Sequence, residues 1–128
     1  MIQSRTDADA PRVLLAIPVY NEARYVHSVL TEVRRRIEDI LVIDDGSTDG
    51  TLELAEDLVA SDRRRIHLHR HPGGVNRGMS ISRNLGLEHA RGDFVTWLDH
   101  DDVLLPTKLE SLHDALVACP EAVAAIGP

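Results

Sequence analysis

Short apolar runs alternate with stretches whose apolar residues recur at helical spacing, and this alternation extends along nearly the whole chain. Val13 to Ile17 is a continuous apolar run of strand length, halted by Pro18 and followed by Tyr20-Asn21-Glu22. From Ala23 on, Val26, Val29, Leu30, Val33 and Ile37 fall on one face of a helix, with Arg and Glu on the other. The unit then repeats. Ile40 to Ile43 predicts a second buried strand that runs into Asp44-Asp45-Gly46-Ser47-Thr48-Asp49-Gly50, and Leu54, Ala55, Leu58 and Val59 line the next helix, with Ser47 or Thr48 as its cap. Arg65 to Arg70 alternates through Ile66 and Leu68 as a more polar edge strand does. A glycine-rich loop, His71 to Gly78, leads into a helix from about Ser80 to Ala90. Phe94 to Leu98 predicts a fourth strand, Leu109, Leu112 and Leu116 a further helix, and Ala122 to Ile126 a fifth strand.

Strand and helix alternation with short connections implies an α/β fold: a Rossmann-like, mostly parallel sheet flanked by helices. In such sheets ligands bind beyond the carboxyl ends of the strands. Three of those ends carry Tyr20-Asn21-Glu22, Asp44-Asp45-Gly46-Ser47 and Asp99-His100-Asp101-Asp102. Carboxylates as close as Asp99, Asp101 and Asp102 raise one another's pKa, so a cation is expected beside them. The plain alternative is a solvated acidic loop.

Composition narrows the classes. A chain of 128 residues, 43% hydrophobic and 27% charged, suits one domain. With 14 Lys and Arg against 21 Asp and Glu, the formal net charge of -7 disfavours nucleic acid as a partner. The runs Arg34-Arg35-Arg36 and Arg63-Arg64-Arg65 each follow a helical pattern, where cations suit the helix dipole. Cys119 is the single cysteine, so no internal disulfide framework forms. Residues 1–11 are polar and predict a disordered leader ahead of a domain at 12–128, and no apolar run approaches membrane-spanning length. The expected location is the cytoplasm, peripheral at the inner face of the membrane if the arginine runs touch anionic lipid.

Five segments carry a resemblance. Ile17-Pro18-Val19-Tyr20-Asn21-Glu22, Val42 to Thr51, Ser82-Arg83-Asn84-Leu85-Gly86, Ala90-Arg91-Gly92-Asp93 and Leu98-Asp99-His100-Asp101-Asp102 resemble family 2 glycosyltransferases in order and spacing. The resemblance implies an A-type glycosyltransferase fold of which this chain is the nucleotide-sugar-binding half. It further implies that Tyr20 packs on the nucleotide base, that Asp45 accepts a hydrogen bond from it, and that Pro18, Glu22 and Asp44 shape the same pocket. Asp99 and Asp101 match the Asp-x-Asp motif, Asp99 near ribose and metal, Asp101 a direct ligand of Mn²⁺ or Mg²⁺. Arg83 matches a basic residue near the diphosphate or those carboxylates.

The implied activity is metal-assisted, inverting transfer of a sugar from a nucleoside-diphosphate sugar, UDP- or dTDP-linked, to the hydroxyl of a glycan or lipid-linked acceptor in polysaccharide biosynthesis. The family's catalytic base lies in the second half of the fold, so no catalytic residue is assigned here and the base is expected beyond Pro128. Two expectations follow: the truncated chain self-associates or pairs with a partner over the absent half, and it is inactive alone. The alternative is a non-catalytic nucleotide or nucleotide-sugar binding module.

Other patterns give way to plainer readings. His67, His69 and His71 alternate as zinc ligands do, yet exposed edge-strand residues have the same spacing. Gly73, Gly74 and Gly78 lack the Gly-Lys-Ser or Gly-Lys-Thr of a P-loop and predict a flexible loop. Trp97 is expected in the core. A phospho-receiver, suggested by Asp44-Asp45, needs a lysine at a later strand end, and the single lysine, Lys108, falls on a helix.

Overall fold

The computed structural model describes residues 12–99 and 102–127, so the leader expected over 1–11 lies outside the described residues, as do His100, Asp101 and Pro128. Four strands, β1 (Val13–Val19), β2 (Asp39–Asp44), β3 (Ile66–Arg70) and β4 (Phe94–Trp97), form one parallel sheet in the order β3-β2-β1-β4. The helices are α1 (Val26–Val33), α2 (Thr51–Ser61), α3 (Met79–His89) and α4 (Lys108–Ala118).

Strand residues point alternately to the two faces, which divides the core in two. Leu15, Ile17, Val19, Ile40, Val42 and Ile66 pack under α1 and α2 against Val26, Leu30, Val33, Ala55 and Leu58. Leu14, Ala16, Leu41 and Ile43 form a smaller cluster on the opposite face with Leu85 of α3 and Val95. Each large aliphatic buried in the first cluster contributes about 1.5–3 kcal/mol. That face anchors the fold. The second is thinly covered.

Pro18 does not halt β1; the strand continues through it to Val19, in register with Asp44. The hydrogen-bond directions explain why. Ala16 O accepts from Leu98 N at 3.2 Å on the β4 side, and Val19 O accepts from Asp45 N at 2.9 Å on the β2 side. Alternation therefore turns Pro18 towards β4, whose ladder with β1 has already ended at the Ala16–Trp97 pair. Its missing N–H costs no ladder bond. The gap it faces is where β1 and β4 diverge, the switch point at which such sheets bind ligands.

Three expectations change. Residues 122–127 contain no strand, and Val123 is 99% exposed. The apolar residues there have nothing described to pair with. Trp97 is 37% exposed rather than core, because β4 is a sheet edge. Helix α1 begins at Val26, later than Ala23, since residues 23–25 form a turn. No helix among the described residues is long and apolar enough to cross a membrane.

Candidate functional site

The loop after β1 and the loop after β2 are latched together. Ser47 Oγ accepts the Asn21 N–H at 3.0 Å, Asn21 Oδ1 accepts the Thr48 N–H at 2.8 Å, and Thr51 Oγ1 accepts the Glu22 N–H at 2.7 Å. Asp49 closes the set: Oδ2 takes the Ala23 N–H at 3.2 Å, and Oδ1 takes the Thr51 N–H at 3.1 Å along with the Thr51 hydroxyl. The hydrogen bond from the Thr51 side chain, reinforced by those backbone amides, holds the Asp49 carboxyl below its ordinary value. The Thr51 amide is one of the unpaired donors at the start of α2, so Asp49 serves there. The cap expected from Ser47 or Thr48 is therefore corrected: both are spent on Asn21. Asn21 itself has φ 52°, a left-handed conformation that asparagine tolerates better than most residues.

A second cluster joins β2 to the glycine-rich loop. Asp45, 5% exposed, accepts the Arg77 N–H on Oδ1 at 2.6 Å and the Gly78 N–H on Oδ2 at 3.0 Å. His71 Nε2 lies 2.9 Å from Ser82 Oγ and 3.5 Å from Asp45 Oδ1. His71 and Ser82 are both buried, so the expectation of an exposed His71 is corrected: the chain turns inward after β3 and closes the imidazole behind Asp45. Gly46 shows how tightly the loop seats. A Cβ built there would stand 2.6 Å from Asn76 N and 2.8 Å from the Val75 carbonyl carbon. Far from swinging freely, the loop lies against the turn that follows β2.

Above these clusters sits a pocket of about 190 Å³ lined by Pro18, Val19, Tyr20, Glu22, Asp45 and Met79. Tyr20 is 47% exposed, so its ring has a free surface. Each Asp45 oxygen takes one backbone amide and retains acceptor capacity. At the end of β4, Arg83 Nη2 donates to Asp99 Oδ1 at 3.2 Å. Both side chains are over a third exposed. Asp44 does not line the pocket. It is fully buried, with Oδ2 accepting the Ser47 N–H at 3.3 Å and Oδ1 lacking a partner among the described residues. Asp101 lies outside the described residues.

The structure thus gathers Pro18, Tyr20, Glu22 and Asp45 around one pocket and pairs Arg83 with Asp99. Met79 and His71 were not foreseen. Met79 opens α3 with no apolar periodicity to mark it, and His71 looks in sequence like its alternating neighbours. Among the described residues no three His, Cys, Asp or Glu side chains converge as a metal cluster, which leaves the histidine-strand zinc reading without support.

Comparison with known proteins points one way. The model of the family described as glycosyl transferase family 2 matches residues 15–127. An uncharacterized glycosyltransferase of Haemophilus influenzae is 38% identical over 104 residues, which is 78% of this chain and 40% of that protein. A putative glycosyltransferase, EpsH, of Bacillus subtilis is 33% identical over 107 residues, 81% of this chain and 30% of that protein. The chain thus spans well under half of either relative. A mannosyltransferase from Pyrobaculum calidifontis, solved with GDP-Man and Mn²⁺, superposes with a TM-score of 0.71 at 26% identity, covering 83% of this chain and 32% of that one. GalNAc-T7 with UDP, GalNAc and Mn²⁺ superposes with a TM-score of 0.55 at 25% identity, over 73% of this chain and 19% of that one.

Proposed function

The chain belongs to glycosyl transferase family 2 and has the A-type glycosyltransferase fold, truncated relative to its solved neighbours, and from that premise we propose that it binds the nucleotide-sugar donor in an inverting, metal-assisted transfer to an acceptor hydroxyl. One observation carries the reading: Tyr20, Glu22 and Asp45 surround one pocket at the carboxyl edge of the sheet, beside the gap between β1 and β4.

In this reading the exposed face of Tyr20 stacks on the nucleotide base, and Asp45, held rigid by the Arg77 and Gly78 amides, accepts a hydrogen bond from it. Arg83 fixes the orientation of Asp99 and lies ready for diphosphate charge. Carboxylate oxygens suit a hard divalent cation, and Asp99 Oδ2 has no hydrogen bond among the described residues. Asp99 and Asp101 are the side chains that would hold Mn²⁺ or Mg²⁺. When bound, the cation supplies positive charge that offsets the charge developing on the departing nucleoside diphosphate. None of this chain's residues is assigned as the base that takes the acceptor proton. The acceptor is a glycan or lipid-linked saccharide, met at the cytoplasmic face of the membrane.

Calorimetric titration with UDP and with GDP, each with and without Mn²⁺, tests this. Metal should tighten binding of one diphosphate, and Asp101→Ala should abolish the tightening. Equal affinity with and without metal in the unaltered chain refutes the metal assignment, and no binding of either diphosphate refutes the donor site. Sugar transfer by this chain would show that a base lies within it.

A further inference from the structure

At the opposite end of the sheet from the donor pocket, and on its thinly covered face, lies a larger cavity of about 380 Å³. Its floor includes Leu14 and Leu41, at 3% and 5% exposure. Around that floor stand Arg12 and Arg91 and the histidines His67, His69 and His89. The one carboxylate in the lining, Asp39, lies 3.9 Å from His67 Nε2. Neither arginine side chain has a hydrogen-bonding or ion-pairing partner among the described residues. In a chain of formal net charge -7, a cavity with that lining is anomalous.

The His69 and His89 rings stand 4.6 Å apart, tilted at 52°. His89 Nδ1 is engaged by the Leu85 carbonyl at 2.9 Å, which leaves Nε2 as its free ring nitrogen. Burial first, then the neighbouring His89 and His71 imidazoles, hold His69 below its ordinary value. Cationic groups here disfavour one another, and an anion between them would relieve that.

We propose that this cavity is a second ligand site, independent of the donor pocket, that takes a phosphate-headed ligand with an apolar body. The phosphate sits between Arg12 and Arg91 with an imidazole donor beside it, and the apolar part lies on Leu14 and Leu41. Arginine suits the role because its planar fork donates two parallel hydrogen bonds to one phosphate. The volume lies within the range of small-molecule sites. The chemistry admits a free phosphomonoester or the headgroup of an anionic lipid.

Nuclear magnetic resonance of the whole chain tests the site, with phenyl phosphate as the soluble probe and phosphatidylglycerol vesicles, against phosphatidylcholine vesicles, as the lipid probe. The His69 and His89 side-chain resonances should shift on saturation with phenyl phosphate. The paired substitutions Arg12→Gln and Arg91→Gln should weaken that binding about tenfold or more. Both arginines are exposed, so the variant should fold, and an unchanged melting curve verifies it. A response only to phosphatidylglycerol assigns the lipid headgroup, and a response to phenyl phosphate the free ester. No response of the imidazoles to either probe, or an equal response in the double variant, overturns the proposal. UDP with Mg²⁺, which is diamagnetic, should leave these resonances unmoved, which separates this site from the donor reading.

Discussion

Gly46→Ala tests whether the glycine-rich loop is a structural part of the nucleotide pocket. Gly46 has φ +83°, where an L-residue is strained by roughly 1–2 kcal/mol. The new Cβ would also stand 2.6 Å from Asn76 N, 2.8 Å from the Val75 carbonyl carbon and 3.0 Å from Gly74 O. All three are backbone atoms, so no rotamer relieves the contact. The loop must lift, and lifting it pulls the Arg77 and Gly78 amides off Asp45. A hydrogen bond to a charged acceptor contributes about 1.5–3 kcal/mol. Losing even one of them on top of the strain places the cost at about 3 kcal/mol or more.

Gly50→Ala is the matched control. Gly50 has φ +94°, so it carries a similar strain, but nothing lies within 4 Å of its Cβ position. Strain alone predicts about 1–2 kcal/mol there. Urea unfolding followed by circular dichroism reads the difference. With a slope of about 1–3 kcal/mol/M for a small domain, Gly46→Ala should lower the midpoint by about 1 M or more. Gly50→Ala should lower it by a fraction of that. Since a domain is stable by only about 5–15 kcal/mol, loss of a cooperative transition in Gly46→Ala also agrees with the reasoning. Equal shifts in the two variants would refute it, because packing of the loop on the turn after β2 would then contribute nothing.

Other predictions are more local. Arg83→Gln should leave the urea midpoint nearly unchanged, because an ion pair this exposed contributes about 0–1 kcal/mol, yet weaken UDP or GDP binding in the presence of Mn²⁺; unchanged affinity would remove Arg83 from the donor site. Asp49 has its folded pKa below the ordinary 3.8, so its contribution is full above that value and is lost as pH falls through the lower, folded one. Unfolding midpoints of the unaltered chain and Asp49→Asn should therefore converge as pH drops below 3.8, and a gap that stays constant through acid would count against the Thr51 bond as the cause. Chelating the divalent ion should reproduce the diphosphate affinity of Asp101→Ala, and a further loss in that variant on chelation would show another ligand set.

Much of the fold was legible because a fully buried strand and an amphipathic helix have distinct periods, and β2 and α2 each show theirs without interruption. What sequence misjudged depended on neighbours. Pro18 reads as a strand breaker until the divergence of β4 removes the ladder its N–H would have joined. Residues 122–126 are apolar enough for a strand, but a strand exists through its pairing, and none is described beside β4 on that side. His71 differs from His67 only in where the chain turns after Arg70. Periodicity carries no information about such turns.

The most specific stretch of the sequence, Asp44 to Thr51, divides sharply once its bonds are known. Asp44 is spent on the Ser47 turn, Ser47 on Asn21, Asp49 and Thr51 on the loop after β1, and Gly46 on admitting the loop before α3. Within this stretch, only Asp45 presents its side chain to the pocket. A residue pattern kept for architecture transfers fold more securely than chemistry, since every member is needed to close the two loops whether or not a sugar is moved. The acidic segment after β4 is different. Asp99 meets the protein through one arginine contact at 39% exposure, so folding alone spends little on its carboxylate. Its second oxygen accepts no hydrogen bond among the described residues, so this is where the sequence favours chemistry over architecture.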